Sequence, residues 1–210
     1  MGVGTDVGWS PDGWLDQALH RAQALGILGP SPVGEHIRHA ERFVAEVQDG
    51  EIVLDLGSGG GLPGLVIAAR RPTCRITLLD ANERRVALLR HSVSGAPFAV
   101  EVVCGRAESL ARTKRYRRAF DTVVARGFGP PAVSAECAVG FLRVGGRFVV
   151  SEPPDNPDDV NERWPELGLS RLGLRRTAGP IDGGVRVFRL SEAREDFPRS
   201  DGVPRRRPLF

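Results

Sequence analysis

The chain has 210 residues, 41% of them hydrophobic, and a formal net charge of +3, enough for one well-buried core and too short for two comfortable domains. It contains no run of about 18 apolar residues, and its start, MGVGTDVGWSPDGW, has neither a basic stretch nor a hydrophobic signal core, which argues against a helical membrane span and predicts the cytoplasm. Cys74, Cys104 and Cys137 are odd in number and isolated, so the sequence indicates buried or reduced thiols rather than a disulfide framework or a zinc site.

Ser10 to Leu25 read as a helix, with Ser10 or Asp12 as its cap and Trp14, Leu15, Ala18, Leu19, Ala22 and Leu25 at helical spacing. Gly26 to Pro32 breaks it. A second helix is expected from Val33 to Val47, with Ile37, Ala40, Val44 and Val47 inward and His36, Arg38, His39 and Arg42 mostly outward. A solvated face explains that basic stripe; an entrance for RNA is the alternative.

The stretch EIVLDLGSGGGLPG, Glu51 to Gly64, carries the strongest signal. Ile52, Val53 and Leu54 form a β-branched apolar run suited to a strand buried on both faces, ended by Asp55. The glycines from Gly57 to Gly61 then make a turn in which a ligand can press against backbone, and Pro63 fits the first turn of the following helix. Strand, turn and helix N-terminus together suit a nucleotide-like ligand. Gly59, Gly61 and Gly64 match the dinucleotide spacing, but Asp55 would repel a pyrophosphate and suits a ligand ammonium, and no Walker lysine is present. These details favour S-adenosylmethionine, held by Gly57, Ser58, Gly59 and Gly61. Asp80 ends the next apolar run, RITLLD, where a carboxylate accepts ribose hydroxyls.

A helix from Gly64 to Arg70 leads to a strand over Arg75 to Leu79, and Asn82 caps the next helix. Phe98 to Val103 reads as a third strand. Arg106, Ala107 and Glu108 follow it and should flank an adenine; Glu108 as the cap of its own short helix is the alternative. Phe120 to Ala125 is a fourth strand delivering Arg126, which can fix a carboxylate or phosphate by paired hydrogen bonds. Pro130 opens a helix to Leu142, and Gly145 and Gly146 turn into a strand over Arg147 to Ser151. A polar spacer, EPPDNPDD, precedes a small helix and two late strands, Ser170 to Arg175 and Gly184 to Leu190. Alternating helices and strands with a closing strand pair predict an α/β, doubly wound sheet with an antiparallel edge. The expected organisation is a single domain over 1–210, with helices to residue 48, a Rossmann-like core over 49–192 and a basic tail over 193–210.

Lys114 is the single lysine among 29 basic residues. Arg112 to Arg118, around Tyr116, and Arg199 with Arg205 to Arg207 form two clusters that can neutralise RNA phosphates or simply face solvent. His36 and His39 have no partner at motif spacing, so no catalytic base is assigned, and no metal ligands are expected.

LDLGSGGGLPGLVIA, ITLLDANERRVALLR, GRAESL, FDTVVARG and DFPRSDGVPRRRPL together resemble the ribosomal RNA small subunit methyltransferase G family, also called the glucose-inhibited division protein B family. The resemblance spans roughly Glu35 to Leu209. It implies a class I S-adenosylmethionine-dependent methyltransferase fold, a mainly parallel seven-stranded sheet with an antiparallel edge, acting on guanine N7 of small-subunit 16S ribosomal RNA; a monomer is expected, although the sequence itself does not fix the oligomeric state. It also implies cofactor contacts from Gly57, Leu62, Ala107, Glu108 and Arg126. The chain departs from the family pattern at Ser151, Glu152, Pro153 and Pro154, where a Lys-Gly pair is usual, and at Ala125, Arg126, Gly127 in place of Ser-Arg-Ala. Two other classes stay open at this level: a divergent or inactive RNA-binding relative, and a nicotinamide-dependent oxidoreductase.

Overall fold

A computed structural model describes residues 10–153, 163–177 and 184–210. Two helices come first, α1 (Pro11–Ala24) and α2 (Val33–Ala45). The Ser10 hydroxyl accepts from the Gly13 N–H at 3.0 Å and caps α1, whose Leu15, Ala18, Leu19 and Ala22 repeat on one buried face. On α2 the outward stripe is only partly right: Arg38 and Arg42 are exposed, whereas His36 is buried beside Phe43 and Val44 on the inner face.

From there the chain alternates β1 (Ile52–Leu56), α3 (Gly64–Arg70), β2 (Arg75–Asp80), α4 (Glu83–Val93), β3 (Val100–Cys104), α5 (Ala107–Leu110), β4 (Phe120–Ala125), α6 (Pro131–Val139) and β5 (Leu142–Ser151). It ends with α7 (Glu166–Arg171), β6 (Leu174–Arg176), β7 (Val185–Leu190) and α8 (Val203–Arg206). The strands form one seven-stranded sheet in the order β3-β2-β1-β4-β5-β7-β6. All pairings from β3 to β5 are parallel, and β7 runs antiparallel to both β5 and β6. The doubly wound sheet with an antiparallel edge is therefore present, and the order reverses direction at β1 and β4, where ligands of such sheets bind.

Period-two alternation divides the core. Val53, Val124 and Val149 face α1, α2 and α3, while Leu54, Val123, Phe148 and Val150 face α6, Trp164 and the C-terminal segment. Every residue of β4 is buried, as a central parallel strand covered by helices on both faces requires.

Several boundaries differ from the sequence reading. β1 runs on through Asp55 to Leu56, because both residues keep pairing with β2. β3 begins at Val100 rather than Phe98. β5 starts at Leu142: pairing jumps from Phe120–Leu142 to Thr122–Arg147, so the two glycines form an irregularity within the strand rather than a turn before it. Ser170 and Arg171 lie in α7, and β6 begins only at Leu174, after Gly173 at φ 75°. Most of the polar spacer lies outside the described residues.

Candidate functional site

The glycine turn is tied down from beneath. Gly57 and Ser58 both donate from backbone N–H to the Leu79 carbonyl, at 2.8 and 3.0 Å, so the turn is hung on the end of β2. Gly57 has φ 77°, and a Cβ there would stand 2.6 Å from the Phe128 ring. Gly61, at φ 103°, packs against Leu65 of the helix that follows, closely enough to exclude a side chain. The Leu62–Pro63 bond between turn and helix is cis.

The two acids take different places. Asp80 lies at the carboxyl end of β2, its Oδ2 accepting from the Gly59 N–H at 2.9 Å and its Oδ1 from the Asn82 N–H at 2.8 Å. Arg85 Nη1 stands 3.6 Å from Oδ2. The carboxylate thus joins the glycine turn to the start of α4, and it faces a cavity. Asp55 is wholly buried behind the turn, with Oδ2 accepting from the Gly64 N–H at 2.9 Å at the start of α3. Burial pushes its carboxyl up to about 7, against the lowering effect of the Gly64 and Ser58 hydrogen bonds. It is not part of the cavity wall but lies behind the turn that forms it.

The cavity, about 280 Å³, lies over the carboxyl ends of β1, β2 and β4 and the turn after β3. That is near the lower end of the roughly 300–1,000 Å³ typical of ligand clefts. Gly57, Asp80, Ala107 and Glu108 line it, so four of the nine sequence-predicted contacts share one wall. Ser58 and Gly59 sit in the turn beside them, Ser58 buried with its hydroxyl donated to the Asp55 carbonyl at 3.0 Å. Gly61 and Leu62 lie deeper, Leu62 buried in the core cluster with α3, and they shape the turn from behind.

Glu108 is held hard. Its Oε1 accepts from Arg106 Nη2 at 2.8 Å and from the Gly202 N–H at 2.9 Å. Burial alone would raise its pKa, but its own N–H, Gly202 and Arg106 together outweigh burial and keep the carboxyl below the usual range. Arg126 points elsewhere. Its Nη2 donates to His36 Nδ1 at 3.0 Å, and His36 Nε2 lies 3.2 Å from the Gly29 carbonyl, which assigns the imidazole proton to Nε2. Arg126 Nη1 is buried without a hydrogen-bond partner among the described residues. Desolvation lowers the Arg126 pKa, opposed by the charge of Asp55.

The family model described as rRNA small subunit methyltransferase G matches residues 33–167. The enzyme of that name from Moorella thermoacetica is 31% identical over 172 residues, covering 78% of this chain and 72% of its own. The one from Symbiobacterium thermophilum is 34% identical over 182 residues, covering 79% and 73%. The chain belongs to this family. Rv0187 from MTB, solved with cofactor bound, has the same fold at TM-score 0.60 and 22% identity, over 90% of this chain and 93% of that one. A SAM-dependent O-methyltransferase from Thermotoga maritima superimposes at TM-score 0.54 and 13% identity, over 85% and 72%.

In this member of the methyltransferase G family, some cavity residues were not legible in the sequence. Phe128 covers Gly57, Val133 and Cys137 come from α6, and Arg205 comes from α8 at the far end of the chain. Arg85 had a signal, since it lies one turn into the helix that Asn82 caps beside Asp80. Cys137 is buried in that wall with its thiol pKa pushed up by desolvation, while Cys104 is a free thiol exposed at the end of β3.

Proposed function

We propose that this protein methylates ribosomal RNA of the small subunit, with S-adenosylmethionine as methyl donor and guanine N7 as acceptor. The observation that carries the reading is the joining of Asp80, Glu108 and the Gly57 turn around one cavity in a chain of the methyltransferase G family. The donor set fits an adenosine: Asp80 offers carboxylate oxygens for ribose hydroxyls, and Ala107 and Glu108 stand where an adenine edge would be read. Bound there, S-adenosylmethionine supplies an activated methyl group.

The chain's own task is placement. Guanine N7 carries a lone pair and no proton at neutral pH, so no base is required to free it, and alignment of the two partners supplies much of the acceleration. Asp80 holds the ribose side, Glu108 the adenine side, and the tightly bonded turn from Gly57 to Gly61 fixes the distance between them. Among the described residues, no helix is long and apolar enough to cross a membrane, and no group of three or more His, Cys, Asp and Glu is placed to hold a metal.

The test is transfer of labelled methyl from S-adenosylmethionine to ribosomal RNA taken from a strain lacking the gene, with the modified base mapped. Label on a single guanine of the small-subunit RNA is expected. Cofactor binding without any transfer to that RNA would overturn the substrate assignment.

A further inference from the structure

After β7 the chain does not trail into solvent. Glu195 pairs with Arg117 at 2.9 Å and Arg118 at 2.6 Å, and the Pro198 carbonyl accepts from Arg112 at 2.8 Å. Arg199 then clamps the fully buried Glu136 of α6, with Nε at 2.8 Å, Nη2 at 2.6 Å and its own backbone N–H at 2.9 Å. Ser109 donates to Asp201 at 2.5 Å. The next residue, Gly202, at φ 73°, turns its N–H onto Glu108 and starts α8. One turn into α8, Arg205 becomes part of the cavity wall.

Arg205 differs from the other arginines named here. Arg112, Arg117, Arg118 and Arg199 all bind protein groups, whereas Arg205 is exposed and makes no hydrogen bond or ion pair among the described residues. It lines the same cavity as Glu108, whose carboxylate the same segment places through Gly202. A planar cation free to lie over that cavity can cover a purine face, a contact strongest where water is excluded.

We propose that the C-terminal segment is a working part of the cofactor site, with Gly202 positioning Glu108 and Arg205 binding the adenine ring. This rests on the reading of the cavity as the S-adenosylmethionine site. It gives the basic tail a role in cofactor affinity, separate from any contact of Arg206 and Arg207 with RNA.

The experiment uses the full chain. Affinity for S-adenosylmethionine is measured by calorimetry for the wild type, Arg205→Ala and Arg205→Lys, alongside the salt dependence of RNA binding. Arg205→Ala should weaken cofactor binding about tenfold, and lysine, lacking the planar face, should restore little of it. The melting temperature should stay constant, because the side chain is exposed and unpartnered. Cofactor affinity within twofold of wild type would overturn the inference; if the RNA salt slope falls at the same time, Arg205 meets a phosphate instead. Absence of cofactor binding by the wild type would remove the reading of the cavity itself, and this inference with it.

Discussion

Asp80 ends β2 and Asp55 stands one residue before the end of the neighbouring β1, yet burial separates their chemistry. Asp80 keeps both oxygens engaged by backbone N–H groups at the edge of the cavity, while Asp55 has one such bond and an Oδ1 without a hydrogen-bond partner among the described residues. With its carboxyl pushed up to about 7, the folded protein holds a proton between pH 4 and 7 that the unfolded chain has released. The unfolded state then binds fewer protons, so this group makes stability fall as pH rises through that window, levelling off above it. Asp55→Asn keeps an acceptor for the Gly64 N–H and removes the titration. Urea unfolding from pH 4 to 8 should show the variant gaining on the wild type as pH rises, by on the order of 3–4 kcal/mol at most across the window. A constant difference over that range would show that Asp55 stays charged in the fold. The sequence placed Asp80 at its strand end correctly and Asp55 one residue short of it; it could not show which of them the α3 helix would bury, because that depends on Gly64 and Leu78 packing over β1.

The same limit applies to elements. Strand, turn and helix from Ile52 to Arg70 were legible because local propensity, glycine spacing and burial pattern all agree there. The basic loop between α5 and β4 was not, since its role depends on residues some 80 positions away. Arg117 and Arg118 both hold Glu195, and Arg115 pairs with Glu101 at 2.7 Å beneath the Tyr116 ring. Arginines already bonded to carboxylates have less to offer a phosphate, so the loop acts first as the seat of the C-terminal segment. Glu195→Ala should speed amide hydrogen exchange over the segment that Glu195 anchors, while leaving the β1 to β4 strands protected. It should also steepen the salt dependence of RNA binding by freeing two arginines. Unchanged exchange in the segment would mean that Arg112 and Arg199 hold it alone. His36 is a parallel case within one element: periodicity alone could not distinguish a solvated histidine from one turned inward to accept a hydrogen bond from Arg126.

At the scale of the molecule, the sheet divides the work between its two ends and its far edge. The cavity-lining groups gather at the carboxyl ends of β1 to β4, whereas Glu51, Asp121 and Arg143 bond the strands together at the opposite end, Arg143 reaching Asp121 at 2.7 Å. The antiparallel edge has its own anchor. Glu152, immediately after β5, accepts from Trp164 Nε1 at 2.7 Å and Arg163 Nε at 3.2 Å, with Arg186 of β7 3.7 Å away, and its side chain is only 6% exposed. Trp164 in turn packs against Phe148, Phe188 and Phe210, joining β5, β7 and the chain's C-terminus. This is the stretch that the sequence reading marks as unlike the Lys-Gly pattern, and in it one buried carboxylate gathers two arginines and a tryptophan. Glu152→Gln preserves the acceptor for Trp164 but strips both arginines of their counter-charge. The expected cost is about 2 kcal/mol, a fall in melting temperature of roughly 4–8 °C for a chain of this size. Methyl transfer per folded molecule should stay at the wild-type level, because no bond of Glu152 reaches the cavity wall. A variant that melts like the wild type but transfers slowly would instead put Glu152 in the path of the substrate, and the altered segment would have a part in the chemistry rather than in holding the edge of the sheet.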